Sequence, residues 1–167
     1  MNLLRLLVVG VLGVALVAPR AAATQAPPAK PLVITAHNLT AATASRDNDA
    51  VARPGDVIRY ALVFTNVTAG AVKNIQFVDP IPTGMVYVLG SAAADHPVRL
   101  EYSIDGGKSY SAQPMITLVE GGKRVEKPAP REQYTHVRWT VLSSLAPKAQ
   151  VMAELRAQVK EAPGEAK

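Results

Sequence analysis

Hydrophobic and polar residues alternate along several short segments of this chain, with the period of two that a half-buried β-strand produces. The segment VIRYALVFTN (57–66) shows this most clearly, because every second residue is large and apolar: Ile58, Tyr60, Leu62 and Phe64. β-Branched and aromatic residues, which strands favour, fill the segment. The pattern predicts a strand with one face on a hydrophobic core.

Three further segments alternate in the same way: VKNIQFVD (72–79), THVRWTVL (135–142) and VMAELRAQV (151–159). In the second of them Trp139, the single tryptophan, shares a face with Val137 and Val141, which predicts that it lies in the core. Residues 151–159 are also compatible with a helix by propensity. Their regular alternation and the preceding LAPKA turn favour a strand.

Four shorter apolar segments complete the set of predicted strands: 31–39, 84–90, 98–104 and 114–120. Glycine- and proline-rich turn signals, such as DPIPTG, DGG and EGGK, separate them. Seven to nine short strands without helical periodicity are typical of an antiparallel sandwich. We therefore predict an all-β fold, a single immunoglobulin-like β-sandwich over residues 31–160.

The N-terminus has the composition of a secretory signal peptide. A basic start, MNLLR, precedes the uncharged apolar run of residues 6–18, and small residues follow at Ala21 and Ala23. The run is too short to span a bilayer comfortably. We predict cleavage after Ala23, with retention as an N-terminal anchor as the alternative, because Arg20 lies close to the cleavage site.

Composition narrows the location and the partners of the exported protein. Residues 24–30 and 161–167 are predicted to be a disordered leader and tail around the domain. The chain has no cysteine, which excludes disulfides, thiolate metal sites and a lipoprotein anchor. We therefore expect a protein of the periplasm or cell surface, without a membrane span once the signal peptide is removed.

The charge pattern gives no indication of a nucleic-acid partner. The formal net charge is +5, and Arg5 and Arg20 would leave with the signal peptide. The one basic cluster is interleaved with acidic residues: Lys123, Arg124 and Lys127 with Glu120 and Glu126. Mixed charge of this kind is typical of a solvated loop, and we interpret the cluster as one.

The segment YSIDGGKSY (102–110) matches the Asp-box of sialidases and other β-propellers. A propeller needs many more strands than this chain can form, and the box occurs once. A retaining glycosidase also needs a carboxylate pair, or a tyrosine nucleophile with an arginine cluster, and nothing specific points to either. We predict a hairpin turn in which Asp105 accepts hydrogen bonds from nearby N–H groups, while Gly106 and Gly107 adopt positive φ.

The segment RPGDVIRYALVFTNVTAGAVKNIQFVDPIPTGMVYVLGSA (53–92) resembles the signature of a bacterial family, the conserved repeat domain or domain of unknown function 11. The matching positions include Pro54, Gly55, Asp56, Asn66, Asp79, Pro82 and Gly84. The later segments YSIDGGKSY, HVRWTV and LAPKAQ follow in the family's order, so the resemblance covers roughly residues 45–160. It implies an immunoglobulin-like sandwich on bacterial envelope proteins and no known activity. The family often occurs in tandem arrays, whereas this chain has one copy.

The residues that could carry chemistry have simpler structural interpretations. Asp79 is predicted to bond to N–H groups at a strand end, and Asp56 to bond within its turn or to a neighbouring arginine. Asp47 and Asp49 could bind Ca²⁺, assisted by Asp105, but their loop lacks the spacing of an EF-hand. The three histidines are too far apart in sequence to suggest a zinc site. We predict neither a cofactor nor an enzymatic activity.

The resulting hypothesis is an exported, non-enzymatic domain of the bacterial envelope with a structural or adhesive role through protein–protein contact. The oligomeric state is left open. One alternative is a glycan-binding module, with or without Ca²⁺, which requires exposed coplanar tyrosines beside a groove. Another is an enzyme or inhibitor with a cleft of titratable groups. A third is pairing of an unprotected edge strand with a partner, for which residues 151–159 are the candidate.

Overall fold

The structure, a computed structural model, describes residues 31–43 and 51–161 of the chain. In those ranges it contains ten strands: β1 Leu32–Asn38, β2 Val57–Thr65, β3 Gln76–Pro80, β4 Met85–Tyr87, β5 Ala93–Ala94, β6 Val98–Ser103, β7 Met115–Glu120, β8 Lys123–Pro128, β9 His136–Val141 and β10 Gln150–Val159. A five-residue helix, α1 (Leu39–Thr43), and a 3-10 turn at Arg131–Gln133 are the helical elements of this part. The predicted all-β class is confirmed. The predicted signal peptide (1–23) and leader (24–30) lie outside the described residues, as does all of the predicted tail beyond residue 161.

The strands form two antiparallel sheets that share a core and one separate hairpin. The first sheet has the order β1-β2-β10-β4, and β5 pairs with β10 on the same side as β4. The second sheet has the order β3-β9-β6. Among the described strands, β7 and β8 pair only with each other. The β4 and β5 segments therefore act as one strand that is interrupted between Tyr87 and Ala93.

The core lies between the two sheets and follows the predicted alternation. On β10 every second side chain from Val151 to Ala157 is fully buried, and the residues between them are exposed or half-buried. Trp139 on β9 is fully buried on the opposite side of this core. Removing a valine or leucine side chain from water contributes about 1.5–3 kcal/mol. The strand interpretation of residues 151–159 is thus confirmed, and the helical alternative is wrong.

The connectivity differs from that of a constant-type immunoglobulin domain. In that domain the first two strands share a sheet with the fourth and fifth, and the last strand lies in the other sheet. Here the last strand, β10, lies between β2 and β4. What the structure establishes is the all-β class with antiparallel sheets around one core.

Two predicted boundaries and one predicted loop need correction. Residues 72–75 do not join β3, because Asn74 has φ 57°, a conformation incompatible with a strand, and Val72 forms only an isolated bridge to Leu145. The predicted strand 84–90 shortens to Met85–Tyr87. The basic cluster at Lys123, Arg124 and Lys127 is not a loop: it lies on β8.

Strand β8 forms because a two-glycine turn returns the chain onto β7. Gly121 and Gly122 have φ 58° and 78°, the positive values that both central residues of a tight type I′ hairpin adopt. The register places Leu118 opposite Val125 and Glu120 opposite Lys123. The mixed charge of the segment is therefore that of an exposed strand, and the hairpin turn explains why it is not a solvated loop.

Candidate interaction surfaces and the predicted site residues

The turn at residues 103–109 satisfies its own carboxylate. Oδ1 of Asp105 accepts hydrogen bonds from Ser103 Oγ at 2.7 Å and from the backbone N–H groups of Lys108 and Ser109 at 3.0 Å each. Oδ2 accepts a bond from Ser109 Oγ at 2.6 Å. These bonds, with those from Ser109 the strongest, hold the pKa of Asp105 well below its usual range. This is the hydrogen bonding that the sequence predicts for the turn.

The glycines of this turn adopt the predicted backbone conformation. Gly106 and Gly107 have φ 75° and 84°. A Cβ added at Gly107 would lie 3.2 Å from the hydroxyl of Tyr110 and 3.4 Å from the ring of His136. The positive φ therefore favours glycine at residue 107, and a Cβ there would also require the Tyr110 hydroxyl and the His136 ring to shift slightly.

Clusters of acidic or histidine side chains that could hold a metal ion are not found among residues 31–43 and 51–161. In these ranges no group of three or more His, Asp or Glu side chains is placed to share an ion. Asp105 uses its oxygen atoms within its own turn. Asp47 and Asp49, the other residues of the weak Ca²⁺ candidate, lie outside the described residues.

Asp56 belongs to a buried hydrogen-bond network that the sequence predicts only in part. Its Oδ2 accepts a bond from Nδ2 of Asn38 at 2.7 Å and from the backbone N–H of Arg53 at 2.9 Å. Oδ1 of Asn38 in turn accepts from the N–H of Ala41 at 2.9 Å, which caps the first turn of α1. Asn38 is a site residue that sequence reasoning missed. An asparagine three residues before Ala41 is a recognisable cap signal.

The two turns that contain Gly55 and Gly84 both contact the end of β10. Gly55, in the Pro54–Asp56 turn, donates its N–H to the carbonyl of Val159 at 3.0 Å. Gly84, two residues after Pro82 and with φ 84°, accepts at its carbonyl from the N–H of Lys160 at 2.8 Å. Both turns therefore hold the same strand end, which gives these positions a structural role.

Asn66 connects two loops at the opposite end of the sheet. Its fully buried side chain donates from Nδ2 to the carbonyls of Gly70 at 2.8 Å and Leu145 at 3.0 Å. Its Oδ1 accepts from the N–H and the hydroxyl of Thr68, at 3.0 and 2.7 Å. Every polar atom of this side chain is used inside the fold.

Asp79 does not form the hydrogen bond that the sequence predicts. Its side chain points toward the core, and Oδ2 is buried without a partner among the described residues. The local donors are missing for a clear reason: Pro80 and Pro82 have no N–H, and the N–H of Ile81 already bonds to the carbonyl of Thr135 at 2.8 Å. Burial raises the pKa of Asp79, and the nearby charge of His136 lowers it in part.

Three of the five tyrosines form a packed cluster and do not present a flat platform. The ring centroids of Tyr87, Tyr102 and Tyr134 lie 5.3–5.5 Å from one another, with interplanar angles of 26°, 46° and 72°. Tyr87 is fully buried. The coplanar exposed rings that the glycan-binding alternative requires are not formed by this cluster.

The predicted edge strand is wrong, and a different strand occupies the edge. β10 pairs with β2 on one side and with β4 and β5 on the other, so it has no free edge over most of its length. β1 pairs with β2 alone among the described strands. Its apolar side chains are open to solvent: Leu32 is 41% exposed, Val33 47% and Ile34 56%.

A cavity of about 490 Å³ adjoins this edge. Ala36 on β1, Ile58 and Tyr60 on β2, and Met85 on β4 are among the residues that line it. The hydroxyl of Tyr60 donates to the sulfur atom of Met85 at 3.2 Å. The lining is thus largely apolar, and the cavity contains no convergent set of titratable side chains.

The β7–β8 hairpin, called the arm below, exposes a second group of apolar side chains. Val119 is 71% exposed, Met115 44% and Leu118 39%. These three residues lie on β7, whereas most of the charged side chains lie on β8: Lys123, Arg124, Glu126 and Lys127. Lys127 forms an ion pair with Glu120 across the hairpin. The arm is therefore an amphipathic surface outside the two core sheets.

Comparisons of this chain with family models, with curated proteins and with solved structures give no match. The resemblance to the conserved repeat domain therefore depends on the residues quoted above. Within residues 31–43 and 51–161, neither helix has the length or the apolar character to cross a bilayer.

Proposed function

We propose that the chain is an exported, non-enzymatic domain of the bacterial cell envelope that acts through contact with another envelope protein. The domain is proposed to be an immunoglobulin-like sandwich in which the last strand lies in the first sheet, beside the second strand. The N-terminal composition and the absence of cysteine support export. The resemblance of residues 45–160 to the conserved repeat domain supports the envelope and the sandwich architecture.

The observation that carries a contact function is the exposed arm. A two-stranded hairpin is marginally stable in water unless something packs on it. This arm pairs with no other strand of the described chain, and its most exposed apolar residue, Val119, lies near its tip. Met115 and Val119 share one face of the arm beside polar residues, and exposed apolar groups with polar surroundings mark protein contacts. A partner would therefore cover the arm.

The register of the arm indicates what kind of partner surface would fit. On one face Leu118 lies opposite Val125, and Ile116 lies opposite Lys127. On the other face Val119 lies opposite Arg124. Lys127 already forms an ion pair with Glu120, so Arg124, opposite Val119, is the basic group that a partner would meet most directly. An apolar patch bordered by acidic residues would complement both properties.

Affinity capture tests the proposal. The exported protein is immobilised and exposed to an envelope extract of the source bacterium, and bound proteins are identified with and without EDTA. The matched variants are Val119→Asp on the arm and Val78→Asp on the outer face of β3, since both valines are exposed. We expect one partner protein to bind in the presence and in the absence of EDTA. The Val78→Asp variant should still bind it, and the Val119→Asp variant should not. Release by EDTA or free sugar, or equal loss from both variants, would contradict the proposal.

A further inference from the structure

The free edge of β1 presents backbone groups that can pair with another strand. The N–H of Thr65 donates to the carbonyl of Pro31 at 2.8 Å, in register with the β1–β2 ladder. Because bonded and non-bonded pairs alternate along an antiparallel ladder, Val33, Thr35 and His37 direct their backbone groups toward β2. Leu32, Ile34 and Ala36 therefore direct theirs away from the sheet. No described strand pairs with them there.

The other edges of the two core sheets carry features that discourage strand addition. Edge strand β3 ends in Asp79 and Pro80, and edge strand β6 contains Arg99 and Glu101. The edge formed by β4 and β5 consists of a three-residue and a two-residue strand. Short strands, inward charges and proline all protect edges in natural sheets. These edges are unsuited to pairing.

β1 has none of this protection. The strand LVITAHN is seven residues long and contains neither proline nor an acidic, lysine or arginine side chain. Its first six residues are exposed, and no strand of the described residues pairs with its outer edge. A long, apolar, unprotected edge is a template for pairing with another chain.

We propose that β1 pairs antiparallel with β1 of a second copy of this chain, about a two-fold axis at Ile34. In this register Ile34 lies opposite Ile34 of the second copy, Leu32 opposite Ala36, and Val33 opposite Thr35. The outward backbone groups of Leu32, Ile34 and Ala36 then bond to one another across the axis. The two first sheets join into one continuous sheet.

The composition of β1 favours a second copy over a charged partner segment. An isologous interface must be self-complementary, and β1 contains no Asp, Glu, Lys or Arg. The register about Ile34 also places the His37 residues of the two copies at opposite ends of the strand pair. The pairing also brings together the apolar side chains that each copy leaves exposed. Leu32 of the second copy comes to lie beside Ala36, at the margin of the cavity described above. A single strand pair forms a small interface, so we expect a weak dimer that depends on protein concentration.

Cysteine cross-linking tests the register directly, because the chain has no cysteine of its own. Hydrogen-bonded antiparallel pairs have Cα atoms about 5.5 Å apart, which is within the range that a disulfide spans. The Ile34→Cys variant of the exported protein should therefore form a covalent dimer under mild oxidation. Val33→Cys is the matched control, since residue 33 is displaced by two positions from its own copy across the axis. Little dimer is expected from it.

Sedimentation velocity over a concentration series provides a second measurement. We expect reversible dimerisation of the unmodified protein, loss of dimer in Ile34→Lys and retention of dimer in Val78→Lys, with far-UV circular dichroism unchanged in both. The inference is overturned if the protein stays monomeric at all concentrations. It is also overturned if Ile34→Cys and Val33→Cys cross-link equally, or if Ile34→Lys dimerises like the unmodified protein. The arm variant Val119→Asp should dimerise normally, so the two proposals can fail separately.

Discussion

β10 and β1 lie in the same sheet on either side of β2, yet their side chains have opposite surroundings. Three residues that are neighbours across the strands form one row of the sheet and show this difference in burial. Leu155 on β10 is fully buried, Tyr60 on β2 is half-buried and Ala36 on β1 is exposed. The second sheet therefore covers β10 and part of β2 and ends before β1. Alternating apolar residues identify a strand, but the layer opposite decides whether that strand is core or edge.

The largest effect on stability should follow from removing the side chain of the second sheet that packs over β10. Trp139→Ala leaves a large cavity between the sheets, because Trp139 is fully buried in the core cluster with Leu155. We expect a loss of about 3–5 kcal/mol in the free energy of unfolding, measured by urea denaturation. The control is Leu142→Ala, just after β9, where the side chain is 63% exposed. A loss below about 1 kcal/mol for Trp139→Ala would mean that the tryptophan is not core.

The same substitution on both strands compares them directly. Leu155→Ala on β10 should cost about 2–5 kcal/mol, because it removes a fully buried side chain. Leu32→Ala on β1 should change stability by only about 0.5 kcal/mol, the range of surface substitutions. Both are measured by urea denaturation at a protein concentration too low for dimerisation. Equal costs would show that β1 is covered within the monomer, and the contrast between the strands would fail.

Features set by neighbours in sequence were predictable. The Asp105 turn is an example, because every group that bonds to its carboxylate lies within four residues of it. The alternation of β9 and β10 is another, since it depends only on which residues are apolar. Each of these features can be derived from a short segment without knowledge of the rest of the fold.

Features set by distant strands were not predictable in the same way. The central place of β10 depends on its pairing with β2, which a local pattern does not specify. Strand β8 was missed because its charges suggested a loop, although the pair Gly121–Gly122 signalled a hairpin. Asp79 lacks a backbone donor partly because the N–H of Ile81 bonds to Thr135, a residue that only the tertiary fold brings near.

Asp79 lies near Tyr60, the half-buried residue between Leu155 and Ala36, and its titration reports its own burial. Burial and, to a smaller degree, the charge of Asp79 raise the pKa of the Tyr60 hydroxyl. Since burial also raises the pKa of Asp79, the folded protein binds a proton there more readily than the unfolded chain does. Ionised Asp79 therefore opposes folding above its folded pKa. This penalty disappears as the pH falls below about 4, the ordinary pKa of aspartate.

The variant Asp79→Asn should consequently have a higher melting temperature than the unmodified protein at pH 7, and the difference should shrink as the pH falls toward 4. Asp105→Asn is the control of opposite sign. Its carboxylate has a lowered pKa, so it stabilises the fold at neutral pH and loses that effect as the pH falls below about 4. Differential scanning calorimetry between about pH 3 and 7 measures the melting temperatures of both variants and of the unmodified protein. This range brackets the ordinary pKa of aspartate. If Asp79→Asn instead lowers the melting temperature at pH 7, the Asp79 carboxylate has a partner in solution.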